Sequence, residues 1–155
     1  MITRAFVALG SNLGDREGTL RAAVDELREL PETEVVRVST FRNTDPVGFL
    51  DQPQFLNGVV ELETRLSGAT LLDALLEIER LFGRDRSSSP PQGPRTLDLD
   101  LLLYGDQIID QPQLQVPHPR LAERRFVLEP LAELDPALDV PGVGRVETLL
   151  AELDS

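Results

Sequence analysis

Apolar residues recur along this chain with two periods, and their order predicts an architecture. Residues 4–9 read as a buried strand, since Phe6 through Leu9 are all apolar. The turn-rich stretch 10–15 leads into a helix whose buried face is drawn by Leu20, Ala23, Val24, Leu27 and Leu30 at 3.6-residue spacing. Asp15 is placed to cap that helix, Glu17 suits its first turn, and Pro31 stops it. Val35 to Arg42 reads as a second strand, 43–53 as a long loop of turn formers, and Phe55 to Thr64 as a third strand. A second helix is predicted over about 70–82, with Leu71, Leu72, Leu75, Ile78 and Phe82 along its inner stripe. The Ser/Pro-rich stretch 83–94 has no apolar anchors and is predicted to be a mobile loop. A strand at 97–103 follows, then a turn at 104–106 and a short apolar stretch at Ile108-Ile109. A rigid Pro117-His118-Pro119 comes next, then a helix from Phe126 to Leu134 interrupted by Pro130, and a last short helix at 145–153. No repeat or linker divides residues 1–155, so one domain is expected. Strand-helix-strand twice over predicts a two- or three-layer α+β domain with helices on one face of the sheet, the ferredoxin-like arrangement.

The strand at 97–103 carries the chain's most informative chemistry. In an extended strand Asp98 and Asp100 share one face, about 6.6 Å apart along it, while Leu97, Leu99, Leu101 and Leu103 share the other. Two adjacent carboxylates repel unless cations lie between them. A pair of Mg²⁺ ions roughly 3.5–4 Å apart, held partly by such carboxylates, clamps a polyphosphate, and Arg95 just upstream has a planar fork suited to phosphate oxygens. The alternating pattern equally describes the wet face of an ordinary edge strand.

Composition narrows the choice. With 155 residues, 41% hydrophobic and 27% charged, the chain is that of a folded protein with a core. No run of eighteen apolar residues occurs, and the N-terminus lacks a signal-peptide layout, so no membrane partner and a cytoplasmic address are expected. The absence of cysteine excludes disulfides and thiolate metal sites. A net charge of −12 argues against a nucleic-acid partner. Lysine is absent, and the arginines cluster at Arg80, Arg84, Arg86 and Arg95 and again at Arg120, Arg124 and Arg125. Such local basic clusters suit a small anionic ligand, or else pair with surface acids.

Other candidates leave alternatives open. The glycines at 10 and 14 match neither a dinucleotide fingerprint nor, in a lysine-free chain, a Walker loop, so phosphates would be held by metal and arginine. No nucleophile elbow appears. His118, the only histidine, stands before three arginines and can donate to a phosphate oxygen or be structural. Glu79, near the dipole-disfavoured end of its helix, serves either a ligand or the surface. Asn57 shares a strand face with Phe55, a pairing that suits a flat heterocycle, although such phenylalanines are more often core residues.

Four blocks together resemble a known family. Ala8-Leu9-Gly10-Ser11-Asn12-Leu13-Gly14, Asp51-Gln52-Pro53-Gln54-Phe55-Leu56-Asn57, Gly93-Pro94-Arg95-Thr96-Leu97-Asp98-Leu99-Asp100 and Val116-Pro117-His118-Pro119 are similar, in that order, to 6-hydroxymethyl-7,8-dihydropterin pyrophosphokinases. These folate-pathway enzymes move diphosphate from ATP to a pterin alcohol and release AMP. The resemblance implies a ferredoxin-like antiparallel sheet with helices packed on its faces. It implies two Mg²⁺ ions on Asp98 and Asp100, with Arg84 and Arg95 as further catalytic groups. Glu79, Arg84, Arg86, Arg95, Leu101, His118 and Arg124 would surround ATP. The pterin would lie between Phe55 and Phe126, with Gly10, Thr44, Asp45, Val47 and Asn57 about its edge. A monomer is implied, with ATP and 6-hydroxymethyl-7,8-dihydropterin as its substrates.

Two departures stand out. Phe55 replaces a tyrosine of relatives, and Gln92 stands where relatives often carry a tryptophan. The implied mechanism is in-line attack of the hydroxymethyl oxygen on the β-phosphorus, with the loops at 43–53 and 83–94 closing to exclude water. Two rival classes, a non-catalytic ligand-binding domain and a nucleotidyltransferase, fit less well. The first needs no paired carboxylates facing arginines, and the second needs a broad basic face.

Overall fold

The unbroken apolar run near the N-terminus forms β1 (Thr3–Ser11), and its lack of alternation reflects its place at the centre of a sheet covered on both faces. In this computed structural model, residues 1–45, 53–83 and 96–153 are described. The expected loop closure, and the placement of Val47, Arg84, Arg86, Gln92 and Arg95, lie outside them.

After β1 come α1 (Arg16–Arg28), β2 (Thr33–Val38), β3 (Arg42–Thr44), β4 (Phe55–Thr64), α2 (Gly68–Leu81) and β5 (Asp98–Tyr104). A small hairpin, β6 (Ile109–Gln111) and β7 (Leu114–Val116), precedes a 3₁₀ turn at Leu121–Glu123. The chain continues through α3 (Arg125–Leu134), a two-residue ladder of β8 (Asp139–Val140) and β9 (Gly144–Arg145), and α4 (Val146–Leu153). The main sheet runs β2-β4-β1-β5 with antiparallel neighbours, the ferredoxin-like order, and β3 extends it by pairing with β4.

Helices cover both faces of this sheet, which corrects the expectation of one covered face. Leu20, Ala23, Val24 and Leu27 of α1 and Leu71, Leu75 and Ile78 of α2 pack with Ala5, Val7, Leu9, Leu99 and Leu101. Val127, Leu128 and Leu131 of α3 and Val146 and Leu149 of α4 pack on the other face with Phe6, Val59, Leu102 and Leu103. The helix starts follow local chemistry: the Asp15 carboxylate accepts Gly18 N–H at 3.1 Å, and Ser67 Oγ accepts Thr70 N–H at 3.1 Å.

Four further boundaries differ from the sequence reading. The strand expected over 35–42 breaks at Ser39, whose hydroxyl turns back to accept Val59 N–H at 2.9 Å, and it resumes as β3 inside the stretch read as loop. Helix α3 runs through Pro130, whose missing N–H costs one bond while its ring is buried. The hairpin partner β7 was too short to register as a period.

The fourth difference bears on the site. A bulge between Phe6 and Val7 pairs Val7 with Leu101 but Phe6 with Leu103, so one extra residue enters β5. Leu99 and Leu101 therefore face α2 as expected, whereas Leu103 joins the α3 core with Phe6.

Glu61, 4% exposed, lies on the α3 face and binds both flanking strands. Arg4 Nε donates to it at 2.9 Å and Arg37 Nη2 at 2.7 Å, while Arg4 also reaches Asp135 at the end of α3 at 3.0 Å. Burial pushes the Glu61 carboxyl up, but the hydrogen bonds and charges of Arg4 and Arg37 outweigh it and hold the group below the ordinary glutamate range. A depressed folded pKa contributes stability that is present at neutral pH and lost as pH falls through the folded value. Glu61→Gln is therefore expected to lower stability at pH 7 by about 1–3 kcal/mol and to flatten the decline below pH 4.5, the ordinary glutamate value. Urea titrations of both proteins across that range check it.

Candidate active site

The face of the sheet that carries α3 is core at one end and open chemistry at the other. Moving along β1, Phe6 is buried under α3, while Ala8 and Gly10 carry little or no side chain. Register sets their neighbours: Asp100 lies opposite Ala8, Asp98 opposite Gly10, Gly10 opposite Asn57, and Asn57 opposite Arg42. Directly paired residues share a face, so Asp98, Gly10, Asn57 and Arg42 form one row across β5, β1, β4 and β3. Two strand spacings, about 10 Å, separate the backbones of Asp98 and Asn57.

Gly10 is required by this row. A Cβ there would lie 2.7 Å from Asn57 Oδ1 and 3.7 Å from the Phe55 ring. Asn57 donates through Nδ2 to Thr44 Oγ1, which fixes the flip of its amide and turns its oxygen toward Gly10. The surrounding turns are tied together as well. Buried Asn12 donates to Pro53 O at 3.1 Å, Arg16 to Gln54 O at 2.9 Å, and Gln54 to Asp45 Oδ1 at 2.9 Å.

On the free edge of β5, Glu79 is buried and its carboxylate accepts Leu99 N–H at 2.8 Å. That amide lies between the two aspartates, so the last turn of α2 holds the strand that presents them. Glu79 is thus no surface acid, and it lines neither of the two clefts described next.

One cleft, of about 440 Å³, is walled by Thr44 and Asp45 on one side and by Arg120, Glu123, Arg124, Arg125, Phe126 and Glu129 on the other. Arg124 stacks over Phe126 at 5.5 Å. The second, of about 220 Å³, is apolar on Leu72, Leu76, Leu99, Leu101 and Leu114, and Asp100 and His118 also line it. His118 lines the second, two residues before Arg120 of the first. Its N–H donates to Leu102 O at 2.9 Å, which seats the Pro-His-Pro turn on the bulge, and its Nδ1 accepts Arg120 N–H at 3.2 Å. An accepting Nδ1 puts the ring proton on Nε2. Burial lowers the His118 pKa, Arg124 and Arg120 lower it further, and Asp98 opposes them, so the neutral ring is favoured.

A family model described as 7,8-dihydro-6-hydroxymethylpterin-pyrophosphokinase matches residues 6–136. The chain belongs to this family. Among relatives of the pterin pyrophosphokinase family, a protein of Pseudomonas aeruginosa named 2-amino-4-hydroxy-6-hydroxymethyldihydropteridine pyrophosphokinase is 50% identical over 97% of this chain and 92% of its own. A Bacillus subtilis protein of the same name is 51% identical over 84% of this chain and 77% of its own. The fold matches that of a Plasmodium falciparum HPPK-DHPS crystallised with pteroate, with TM-score 0.75 at 14% identity over 98% of this chain. This chain spans 42% of that solved chain, less than half its length.

The structure brings together Gly10, Thr44, Asn57, Asp98 and Asp100 of the residues expected from sequence, with Arg124 and Phe126 on the adjoining wall and His118 beside Asp100 in the second cleft. Phe55 stands opposite Thr44 in β3. Sequence reasoning missed Asn12, Arg42 and Glu133, whose partners are distant in the chain. Asn12 lies in the first of the four family-like blocks, and its bond to Pro53 is made only by the fold.

Proposed function

We propose that this pterin pyrophosphokinase works as a single-domain, monomeric, cytoplasmic enzyme over residues 1–155, through the row Asp98–Gly10–Asn57. The reaction joins the hydroxymethyl oxygen of 6-hydroxymethyl-7,8-dihydropterin to the β-phosphorus of ATP while the bond from that phosphorus to the AMP oxygen breaks. The row supports the assignment because it spaces a heterocycle-reading amide from paired carboxylates by about 10 Å, the reach of a bicyclic ring and its side arm.

The pterin spans the larger cleft, where Phe126, Thr44 and Asp45 lie, and the adjoining row, where Phe55, Asn57 and the bare backbone of Gly10 lie, with Val47 assigned from the family resemblance. The nucleotide base takes the apolar cleft beside Leu101, which leads the phosphates past His118 toward Asp98 and Asp100. Among the described residues no group of three or more His, Asp or Glu gathers to cage a metal. Two carboxylates, completed by phosphate oxygens and water, are the ligand set Mg²⁺ prefers, so the donors fit two such ions. When bound, they neutralise charge on the transferring diphosphate. Neutral His118 donates through Nε2–H to a phosphate oxygen, and Arg124 supplies fixed positive charge. Arg84, Arg86 and Arg95, assigned by the family resemblance, complete the anion shell. The hydroxyl proton passes to the nearer aspartate. Glu79 acts behind this shell by fixing Leu99. Among the described residues no helix is long and apolar enough to cross a membrane.

Incubation with ATP, Mg²⁺ and the hydroxymethyl dihydropterin is expected to give AMP in equal amount to diphosphorylated pterin. ADP as the nucleotide product, resolved by ion-exchange chromatography, refutes the assignment.

A further inference from the structure

The larger cleft has walls from two elements that share no backbone hydrogen bond, the edge strand β3 and helix α3, and one residue spans them. Phe126, Glu129 and Glu133 stand at i, i+3 and i+7 on α3 and so share a face. The first two line the cleft. The third reaches across to the break between β2 and β3. Glu133 Oε2 accepts Thr40 N–H at 2.8 Å and Thr40 Oγ1–H at 3.0 Å, and Oε1 accepts from Arg42 Nη2 at 2.8 Å.

Strand β3 needs such a hold. It has three residues and, among the described residues, pairs only with β4 in the sheet, and strands this short at an edge are weakly fixed by their ladder alone. Its Arg42 stands directly opposite Asn57, and its Thr44 orients the Asn57 amide. Arg42 Nη1 is buried with no acceptor among the described residues. Its other terminal nitrogen is held by the Glu133 carboxylate, and this ion pair sets the position of the guanidinium.

We infer that Glu133 is a positioning residue for heterocycle recognition, its carboxylate clamping the start of β3 to α3 so that Thr44, and the Asn57 amide it orients, keep their place relative to the Phe126 wall of the cleft. The inference rests on the pterin pyrophosphokinase reading and concerns this chain's own Thr40–Arg42–Glu133 contacts. Glu133→Gln keeps the shape of the side chain, but its amide nitrogen cannot accept from Thr40 or Arg42.

The test uses steady-state kinetics on the full chain with ATP, Mg²⁺ and the dihydropterin. Wild type must first form AMP, and its failure to do so sinks the functional reading and not the clamp. For Glu133→Gln the KM for the pterin is expected to rise about tenfold, with the KM for ATP and kcat within twofold. Arg42→Ala should show the same split, and the double variant should add little to either single one. Glu147→Gln, which removes the exposed Arg145 pair on α4, serves as a control and leaves all three constants unchanged. A lower melting temperature with an unchanged pterin KM overturns the inference, as does a uniform fall in kcat. Should Glu133→Gln fail to fold, Arg42→Ala carries the same split, and equal constants there overturn it too.

Discussion

Asp98→Asn and Asp100→Asn should each lower kcat by about a hundredfold or more, in the range found when one preorganised electrostatic contact to a transition state is removed. An amide keeps the shape of the carboxylate but loses the charge that a divalent cation requires. Stability should move the other way or not at all. Both groups are half-exposed on one face of β5, opposite Ala8 and Gly10, and neutralising one relieves their mutual repulsion. A loss of turnover at an unchanged or raised melting temperature therefore separates a functional pair from a structural one. Calorimetry and AMP release on the same preparations check both halves. Near-normal turnover in either variant removes the two-cation reading.

Gly10→Ala is expected to raise the KM for the pterin by about ten- to a hundredfold, at a stability cost of about 1–3 kcal/mol. The added methyl falls 2.7 Å from Asn57 Oδ1, inside contact distance. Asn57 cannot yield freely, because its amide nitrogen is engaged by Thr44. Either that bond breaks or β1 and β4 part at Gly10, and both outcomes move the amide that reads the ring. The KM for ATP should change little, since the apolar cleft lies beyond β5. Equal pterin affinity in wild type and variant, measured by calorimetric titration, contradicts the row as a recognition surface.

Periodicity made much of this fold legible before any coordinates. The stripe Leu20, Ala23, Val24 and Leu27 and the stripe Leu71, Leu75 and Ile78 are long enough for a 3.6-residue period to stand out, and both helices occur there. What escaped was short or depended on tertiary partners. The β6–β7 hairpin has three residues per strand, fewer than any period needs. The break at Ser39 is made by a hydroxyl that finds Val59, twenty positions away. The face assignment of Leu103 failed because one bulge residue reverses parity, and nothing in a run of leucines marks where that happens. Of the site, the aspartates were visible as an alternating pair, whereas Glu133 looked like any exposed helix acid until Thr40 and Arg42 came against it.

The bulge in β5 also limits how this protein can change length. Leu102 offers its carbonyl to His118 at the point where the strand's parity turns over. Deleting one residue between Asp100 and Tyr104 would take out the bulge, keeping leucines opposite Val7 and Phe6 but removing the Leu102 carbonyl that holds the histidine. Deletions across 101–103 should therefore be rejected, a result that a scan of single-codon deletions would read directly.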